Sequence, residues 1–332
     1  MLFSRWIQQQ WQQVGLWHFI LFPLSIVFLS LVFWRRLAYR IGFLKSHKLP
    51  VPVIVVGNIS VGGAGKTPLV SYLAKQLKTY GYSPGIISRG YGANLQSLVV
   101  EVTAQDNPLE VGDEPVLLAR QTSCPVFVSA KRYAAALSLL RAHPECNVIL
   151  SDDGLQHYAI KREIEIAVVD AQRGFSNGLL LPAGPLREPV SRLDDVDAVV
   201  LNGGISGLDQ QNTFSMQLEP ADFRQVINTD KSANVRDFAG KKIVAVAGIG
   251  NPSRFFKVLD QLGLTHDDYS FPDHHAFQKQ ELSFPQADLI LMTEKDAVKC
   301  KEIADDRCWF LPVSSTLDST FMPHILKLLG YQ

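Results

Sequence analysis

Short unbroken apolar runs alternate with amphipathic stretches along most of the chain. Val53-Ile54-Val55-Val56, Ile86-Ile87-Ser88, Pro125-Val126-Phe127-Val128, Asn147-Val148-Ile149-Leu150, Ile164-Glu165-Ile166-Ala167-Val168-Val169 and Ala198-Val199-Val200-Leu201 are the clearest of these runs. Runs of this length without alternation predict strands buried on both faces. A further short strand is predicted over 98–102. Between the runs, Leu69-Val70-Ser71-Tyr72-Leu73-Ala74, Val116-Leu117-Leu118-Ala119-Arg120 and residues 134–140 carry helical spacing. Strands separated by helices predict a parallel α/β sheet flanked by helices. Near Gly203 the pattern changes, and Phe214-Ser215-Met216-Gln217-Leu218 alternates as an antiparallel or connecting strand would. A strand–glycine–helix theme then returns at Val244-Ala245-Val246-Ala247-Gly248-Ile249-Gly250, with a helix over 254–262. A strand over 289–293 opening into a charged turn, a strand over 309–313 and a helix over 323–329 complete the chain. This second set predicts a smaller α/β domain over 211–332, after a main domain over 45–210, with a last helix able to pack back on the main domain.

Residues 1–44 stand apart. From 14 to 34 there is no Lys, Arg, Asp or Glu, and about 20 apolar residues suffice to cross a bilayer. His18, Pro23, Ser25 and Ser30 interrupt the run, while Trp6, Trp11, Trp17 and Trp34 sit where interfacial anchors belong. Arg35, Arg36, Arg40, Lys45 and Lys48 follow, which places that side in the cytoplasm. The charge follows the apolar run and no small-residue cleavage site does, so a signal peptide is disfavoured. A membrane-associated hydrophobic helix is expected. It can span the bilayer, lie in the interface, or dock on the following domain.

The composition narrows the rest. The chain has 332 residues, 47% hydrophobic and 19% charged, with zero formal net charge. That suits a globular protein of two domains and gives no electrostatic case for nucleic-acid binding. Cys124, Cys146, Cys300 and Cys308 show no C-x-x-C spacing, so neither a zinc site nor a disulfide framework is expected. No internal repeat is visible.

The chemistry concentrates after the first strand. Ser60-Val61-Gly62-Gly63-Ala64-Gly65-Lys66-Thr67 joins that strand to an amphipathic helix, the context of a phosphate-binding loop. Glycines let backbone N–H groups converge on an anion at a positive helix end. Lys66 can reach the β- and γ-phosphates of ATP, and the Thr67 hydroxyl can bind Mg²⁺. Ser60 departs from the glycine of the strict pattern, leaving Gly62 and Gly63 to supply backbone freedom. Downstream, Ser151-Asp152-Asp153-Gly154-Leu155-Gln156-His157 ends an apolar strand in paired acids, an arrangement that aims a carboxylate at the Mg²⁺ held by Thr67. His157 can orient those acids, touch a phosphate or finish the turn.

Other candidates carry two readings each. Arg89, at the end of a short strand, is a phosphate contact or a solvated loop arginine. Asp113 and Glu114 open a helix ahead of Pro115; they complement its dipole or accept a proton from an acceptor hydroxyl. Arg173 and Arg187 lie in a Gly/Pro-rich loop as phosphate or leaving-group contacts. Phe271-Pro272-Asp273-His274-His275 holds metal ligands, catalytic groups or a polar turn.

Taken in order, V-G-N-I-S-V-G-G-A-G-K-T-P, S-R-G-Y-G, G-D-E-P, S-D-D-G-L-Q-H, L-P-A-G-P-L-R-E-P, F-P-D-H-H and T-E-K-D-A-V-K resemble the tetraacyldisaccharide 4'-kinase family, the lipid A 4'-kinases, from about residue 49 to the end. The resemblance implies transfer of the γ-phosphate of ATP, with Mg²⁺, to the 4'-hydroxyl of a tetraacylated glucosamine disaccharide 1-phosphate, giving lipid IVA at the cytoplasmic face of the inner membrane. It implies a P-loop NTPase-like fold, a lipid-linked substrate, contact with inner-membrane lipid and no nucleic acid; a monomer is expected. The family's catalytic carboxylate falls on Asp113, and its supporting histidine on His274 ahead of His275. The metal-site acids fall on Asp152 and Asp153, with the adjoining histidine on His157. Asp113 and His274 belong to different predicted domains, so domain closure would assemble them. The alternatives are a membrane-associated P-loop ATPase, which would need a signature stretch the chain lacks, and a nucleotide-gated adaptor, which would leave the acids without a task.

Overall fold

The computed structural model describes residues 10–11, 15–90, 98–204 and 212–331. Trp6, Val14, Tyr91, Gly92 and the expected boundary at 210/211 lie outside the described residues.

Helix α1, Leu16–Arg40, is 25 residues long and contains Pro23. One stripe meets the body. Ser25 Oγ donates to Leu180 O at 2.8 Å and accepts from Ala183 N at 3.1 Å, and Arg36 pairs with Asp195 at 2.7 Å. Trp11 Nε1 donates to Pro182 O just before it. The remaining faces expose Leu16, Trp17, Phe19, Ile20, Phe22 and Trp34 among others. The helix is long and apolar enough to cross a membrane, yet it is docked on the body at its middle, through Ser25, and near its C-terminal end, through Arg36.

The first sheet is then laid down by β1 (Val53–Gly57), α2 (Lys66–Thr79), β2 (Pro84–Ser88), β3 (Val100–Val102), α3 (Pro108–Val111), α4 (Asp113–Thr122), β4 (Val126–Val128), α5 (Arg132–Ala142), β5 (Val148–Asp152), β6 (Ile164–Asp170), β7 (Ala198–Asn202) and β8 (Thr213–Pro220). A second sheet follows from β9 (Phe223–Gln225), β10 (Ser232–Ala233), β11 (Ile243–Ala247), α6 (Pro252–Gln261), β12 (His266–Ser270), β13 (Leu289–Thr293), α7 (Glu294–Cys300) and β14 (Cys308–Leu311). β15 (Val313–Leu317) and α8 (Phe321–Leu328) close the chain.

The strand order is β15-β8-β7-β6-β1-β5-β2-β4-β3 in the first sheet and β10-β9-β14-β13-β11-β12 in the second. Strands β1, β5 and β7 are buried at every position, as their unbroken apolar runs require. Helices cover both faces of this mainly parallel sheet, and β1 lies between β6 and β5. The C-terminal ends of β1 and β5 therefore stand side by side, where open parallel sheets bind ligands.

The sheet is parallel as expected except at its two edges, where β3 and β15 pair antiparallel. Three local expectations are revised. The strand expected over 98–102 is confined to Val100–Val102. The charged turn after β13 is a helix, because Thr293 Oγ1 accepts from Asp296 N and caps it. The single strand expected over 309–313 breaks at Pro312, which has no N–H to continue a ladder, and its halves join different sheets. The first sheet also continues beyond 210/211 through β8 and regains β15. Phe321 and Ile325 of α8 are fully buried in its core.

Candidate active site

The loop from β1 to α2 is shaped by two neighbours. Ser60 pairs with Leu186 in an antiparallel bridge, Val61 N donates to Pro185 O at 2.8 Å, and Arg187 N donates to Ile59 O at 2.7 Å. A residue paired in an extended bridge needs no glycine, which accounts for Ser60. The left-handed positions fall instead on Gly62 (φ 108°) and Gly65 (φ 98°), where a side chain would be strained. Asn202 Nδ2, at the end of β7, donates to Ala64 O at 2.9 Å. Arg254 Nη2, from α6 of the second sheet, donates to Asn202 Oδ1 at 2.7 Å. The Arg173 guanidinium rests against Gly62 and would meet any side chain placed there.

A second tie between the sheets, against the backbone of Gly63, explains Gly250. A Cβ on Gly250, in the turn after β11, would lie 2.6 Å from Gly63 N. Backbone cannot yield as a side-chain tip can. Gly250→Ala is therefore expected to push the turn off the phosphate loop and lower kcat about 10- to 100-fold, with the fold intact. Steady-state kinetics and a spin-label distance between the sheets check this. An unchanged distance and rate would remove the contact's importance.

At the end of β5 the paired acids diverge. Asp153 adopts φ 47°, and its carboxylate meets Lys66 Nζ at 3.4 Å and Arg187 Nη1 at 3.2 Å. Burial opposes its charge, but Lys66, Arg187 and Arg132 outweigh burial and hold it at about 2. Asp152 is completely buried, and neither carboxylate oxygen has a hydrogen-bond partner. Burial, with the Glu114 charge, pushes it up to about 7. Arg132 Nη2 donates to the carbonyls of Asp152 (3.0 Å) and Asp153 (2.8 Å), fixing the turn. An orphaned buried carboxylate is the donor chemistry a hard cation requires. Among the described residues no group of three or more His, Cys, Asp or Glu could hold a metal ion unaided.

A third cluster spans the two sheets. Asp113 begins α4, and both of its carboxylate oxygens lie 3.0 Å from His274 Nδ1. His274 adopts φ 59°, a left-handed backbone that costs a non-glycine residue on the order of 1 kcal/mol. His275 turns away to Glu281 at 2.9 Å, so His274 is the histidine that meets Asp113. Lys295 Nζ from α7 pairs with Glu114 (2.9 Å) and Asp273 (3.3 Å), and lies 3.8 Å from Asp113. Burial disfavours the Asp113 charge, but the His274 hydrogen bond and Lys295 prevail and bring it to about 2. For His274 burial is likewise outweighed, by the Asp113 hydrogen bond, and its pKa is raised.

These directions set a pH window. A depressed carboxylate stabilises the fold above its unfolded value near 4 and loses that contribution as pH falls toward 2. A raised histidine stabilises below about 6.5 and loses its contribution as pH climbs through the raised value. His274→Gln is thus expected to cost most stability between about pH 4 and 6.5, and progressively less above. Urea unfolding of both proteins across that range tests this; a pH-independent difference would exclude an ion pair.

The remaining expected residues are placed as follows. Arg187 joins the Asp153 cluster. Glu114 joins the Asp113 cluster and acts electrostatically on Asp152. Arg89 is exposed at the end of β2, and its charge reaches His157 and Arg132. His157 is half-buried, and burial with Arg132 and Arg162 lowers it to about 4, so its ring is neutral. Arg173 flanks the phosphate loop beside Asp170 rather than the acids. Arg132, Asn202, Arg254 and Lys295 are the site residues missed from sequence. Of these only Lys295 lay within a quoted motif.

Comparison with known proteins follows this geometry. Residues 17–330 match the family described as tetraacyldisaccharide-1-P 4'-kinase. The chain is 52% identical to a tetraacyldisaccharide 4'-kinase of Methylobacillus flagellatus, over 98% of this chain and 96% of that protein. It is 47% identical to one of Dechloromonas aromatica, over 100% and 99%. Among solved structures, LpxK from Aquifex aeolicus, described as an "apo" form in complex with ATP, superposes with a TM-score of 0.81. It has 30% identity over 95% of this chain and 100% of that one.

Proposed function

The chain belongs to the tetraacyldisaccharide 4'-kinase family, and we propose that its three clusters divide the work of one phosphoryl transfer. The enzyme uses ATP to phosphorylate the 4'-hydroxyl of tetraacyldisaccharide 1-phosphate in lipid A biosynthesis. The observation that carries the residue assignment is the meeting of Asp113 and His274 across the two sheets, in a molecule whose phosphate loop touches the second sheet at Gly250.

Lys66 and the N–H groups of residues 60–67 bind the β- and γ-phosphates. Asp153 holds Lys66 in place through their 3.4 Å contact. Asp152 and Thr67 would hold Mg²⁺, whose charge neutralises the phosphate oxygens; the ion pairs of Asp153 with Lys66 and Arg187 support giving the direct role to Asp152. Asp113 accepts the hydrogen bond of the 4'-hydroxyl and aims its oxygen at the γ-phosphorus. In a loose transition state the acceptor keeps its proton until late, so a carboxylate near pKa 2 serves chiefly by orientation and receives the proton after the O–P bond has formed. His274 keeps that carboxylate ionised and fixed. We assign Arg89, His157, Arg173 and Arg187 to anionic groups of nucleotide and lipid, with the second sheet completing the site where His274 meets Asp113.

Helix α1 presents its exposed apolar faces to lipid, and its docked stripe supports a helix lying in the interface rather than crossing it. The exposed Arg35 and Arg40 then face the cytoplasmic headgroups. A groove of about 740 Å³ between α1 and the body, lined by Leu29, Phe33, Arg36, Tyr158 and Arg162 among others, joins this surface to the residues after β5 and suits a lipid-borne sugar. Incubation with γ-labelled ATP, Mg²⁺ and the lipid precursor in detergent is the test. Label on lipid is expected. Release of free phosphate without labelled lipid would point to an ATPase, and neither product to an adaptor.

A further inference from the structure

We propose that Lys295 is a positioning residue for phosphoryl transfer, the internal cation through which α7 fixes Asp113 relative to the phosphate loop. This deepens the reading above and rests on Asp113 orienting the acceptor hydroxyl.

Three carboxylates converge on one ammonium. Glu114 (2.9 Å) and Asp113 (3.8 Å) come from α4 of the first sheet, and Asp273 (3.3 Å) comes from the loop of the second sheet that also bears His274. The Lys295 side chain is only 16% exposed. An exposed lysine with one partner would contribute little. A largely buried one with three partners from two elements is held in position. The charges facing Asp113 are Glu114 on its own helix, His274 and Asp273 on the loop, and Lys295 and Lys299 on α7. Without Lys295, Glu114 and Asp273 would face Asp113 as uncompensated like charges.

Helix α7 is itself tied to the loop side of the site. Asp296, completely buried, accepts from Gly248 N at 3.0 Å. Lys299 donates to Gly248 O at 3.1 Å and pairs with Asp296 at 2.7 Å. Gly248 opens the turn whose Gly250 abuts Gly63. Glu294 accepts from Gln121 on α4 at 2.8 Å. Residues 294–299 thus fasten the second sheet at two points, the phosphate-loop turn through Asp296 and Lys299, and the Asp113 helix through Glu294 and Lys295. Hydrogen bonds alone would give adhesion. The lysine adds a charge beside the orienting carboxylate, and this separates a positioning role from a structural one.

The test uses the full-length enzyme in detergent with the lipid precursor. It compares wild type, Lys295→Met, Lys295→Arg and Asp113→Asn for kcat, nucleotide affinity and the pH profile of kcat/KM. Loss of a cation raises the pKa of both Asp113 and His274, so the whole profile moves the same way. For Lys295→Met, kcat falls about 10- to 100-fold with ATP affinity changed by less than about threefold. Its profile moves to higher pH by about one to three units. Lys295→Arg restores the profile's position. A Lys295→Met profile at the wild-type position overturns the proposal whatever its rate, and so does an Arg variant displaced as far as Met. The folded fraction at each pH is read by circular dichroism and divided out of the rate, so the result survives a less stable variant. If Asp113→Asn is inactive while Lys295→Met is unshifted, only this proposal fails. If Asp113→Asn keeps the wild-type rate, the underlying assignment fails with it.

Discussion

Asp113→Asn is expected to lower kcat by about 10²- to 10⁴-fold while ATP affinity stays within about threefold. The substitution is nearly isosteric. The amide oxygen of the variant side chain can still accept from His274 Nδ1, as the carboxylate does at 3.0 Å, so the two sheets keep this contact. What disappears is the negative charge proposed to orient the acceptor hydroxyl and finally receive its proton. Nucleotide binding is assigned to Lys66 and the loop N–H groups, which belong to a separate cluster around Asp153, and it should persist. The measurement is kcat and KM for both substrates, with nucleotide affinity read independently. Equal losses in kcat and ATP affinity would mean that Asp113 supports the nucleotide site rather than the acceptor. The effect should also be non-additive with His274→Gln. Once the Asp113 charge is gone, the histidine no longer has that carboxylate to hold ionised, so the double variant should be little worse than Asp113→Asn alone.

The sheet that carries these residues was legible because buried parallel strands declare themselves as apolar runs without alternation. β1, β5 and β7 follow that rule at every position. The phosphate loop was legible because its function depends on local backbone chemistry, with Gly62 and Gly65 in left-handed conformations and Lys66 and Thr67 at the first turn of α2. Tertiary pairing left no such trace. Nothing in Phe214-Ser215-Met216-Gln217-Leu218 announces that β8 joins the first sheet in parallel, or that β15 returns across about a hundred residues to pair with it. His274 and His275 are equivalent in sequence; only the position of Glu281 separates them, by capturing His275. Lys295 stands 181 residues from Glu114, the acid it pairs with at 2.9 Å, and Arg132 acts through backbone carbonyls that no side-chain motif records. Local chemistry survives in a sequence pattern, whereas charge complementarity between distant elements appears only when the sheets are assembled.

Asp152→Asn is expected to do two opposed things: stabilise the protein without metal, and abolish most of its activity. The Asp152 carboxylate is fully buried, with both oxygens unpartnered, and an unsatisfied buried polar group costs about 1–3 kcal/mol, more if charged. Burial, reinforced by Glu114, lifts its pKa to about 7. A carboxyl whose folded pKa is raised binds its proton more tightly in the native state, so stability drains away as pH rises from near 4 to about 7. An amide in its place carries no charge to drain it. The stabilising effect should therefore be small near pH 4, grow through that interval and level off above about pH 7, where it amounts to a melting temperature several degrees higher. The same carboxylate is the donor assigned to Mg²⁺, so kcat should fall by at least about 10²-fold. The added stability that wild type gains from ATP with Mg²⁺, over ATP alone, should shrink toward zero in the variant. Calorimetry across pH, with and without Mg²⁺ and ATP, reads the stability effects, and steady-state kinetics reads the rate. If the metal-free variant melts no higher than wild type above pH 7, Asp152 is not an uncompensated charge. If it keeps the Mg²⁺-dependent part of the stabilisation, the cation belongs to Asp153.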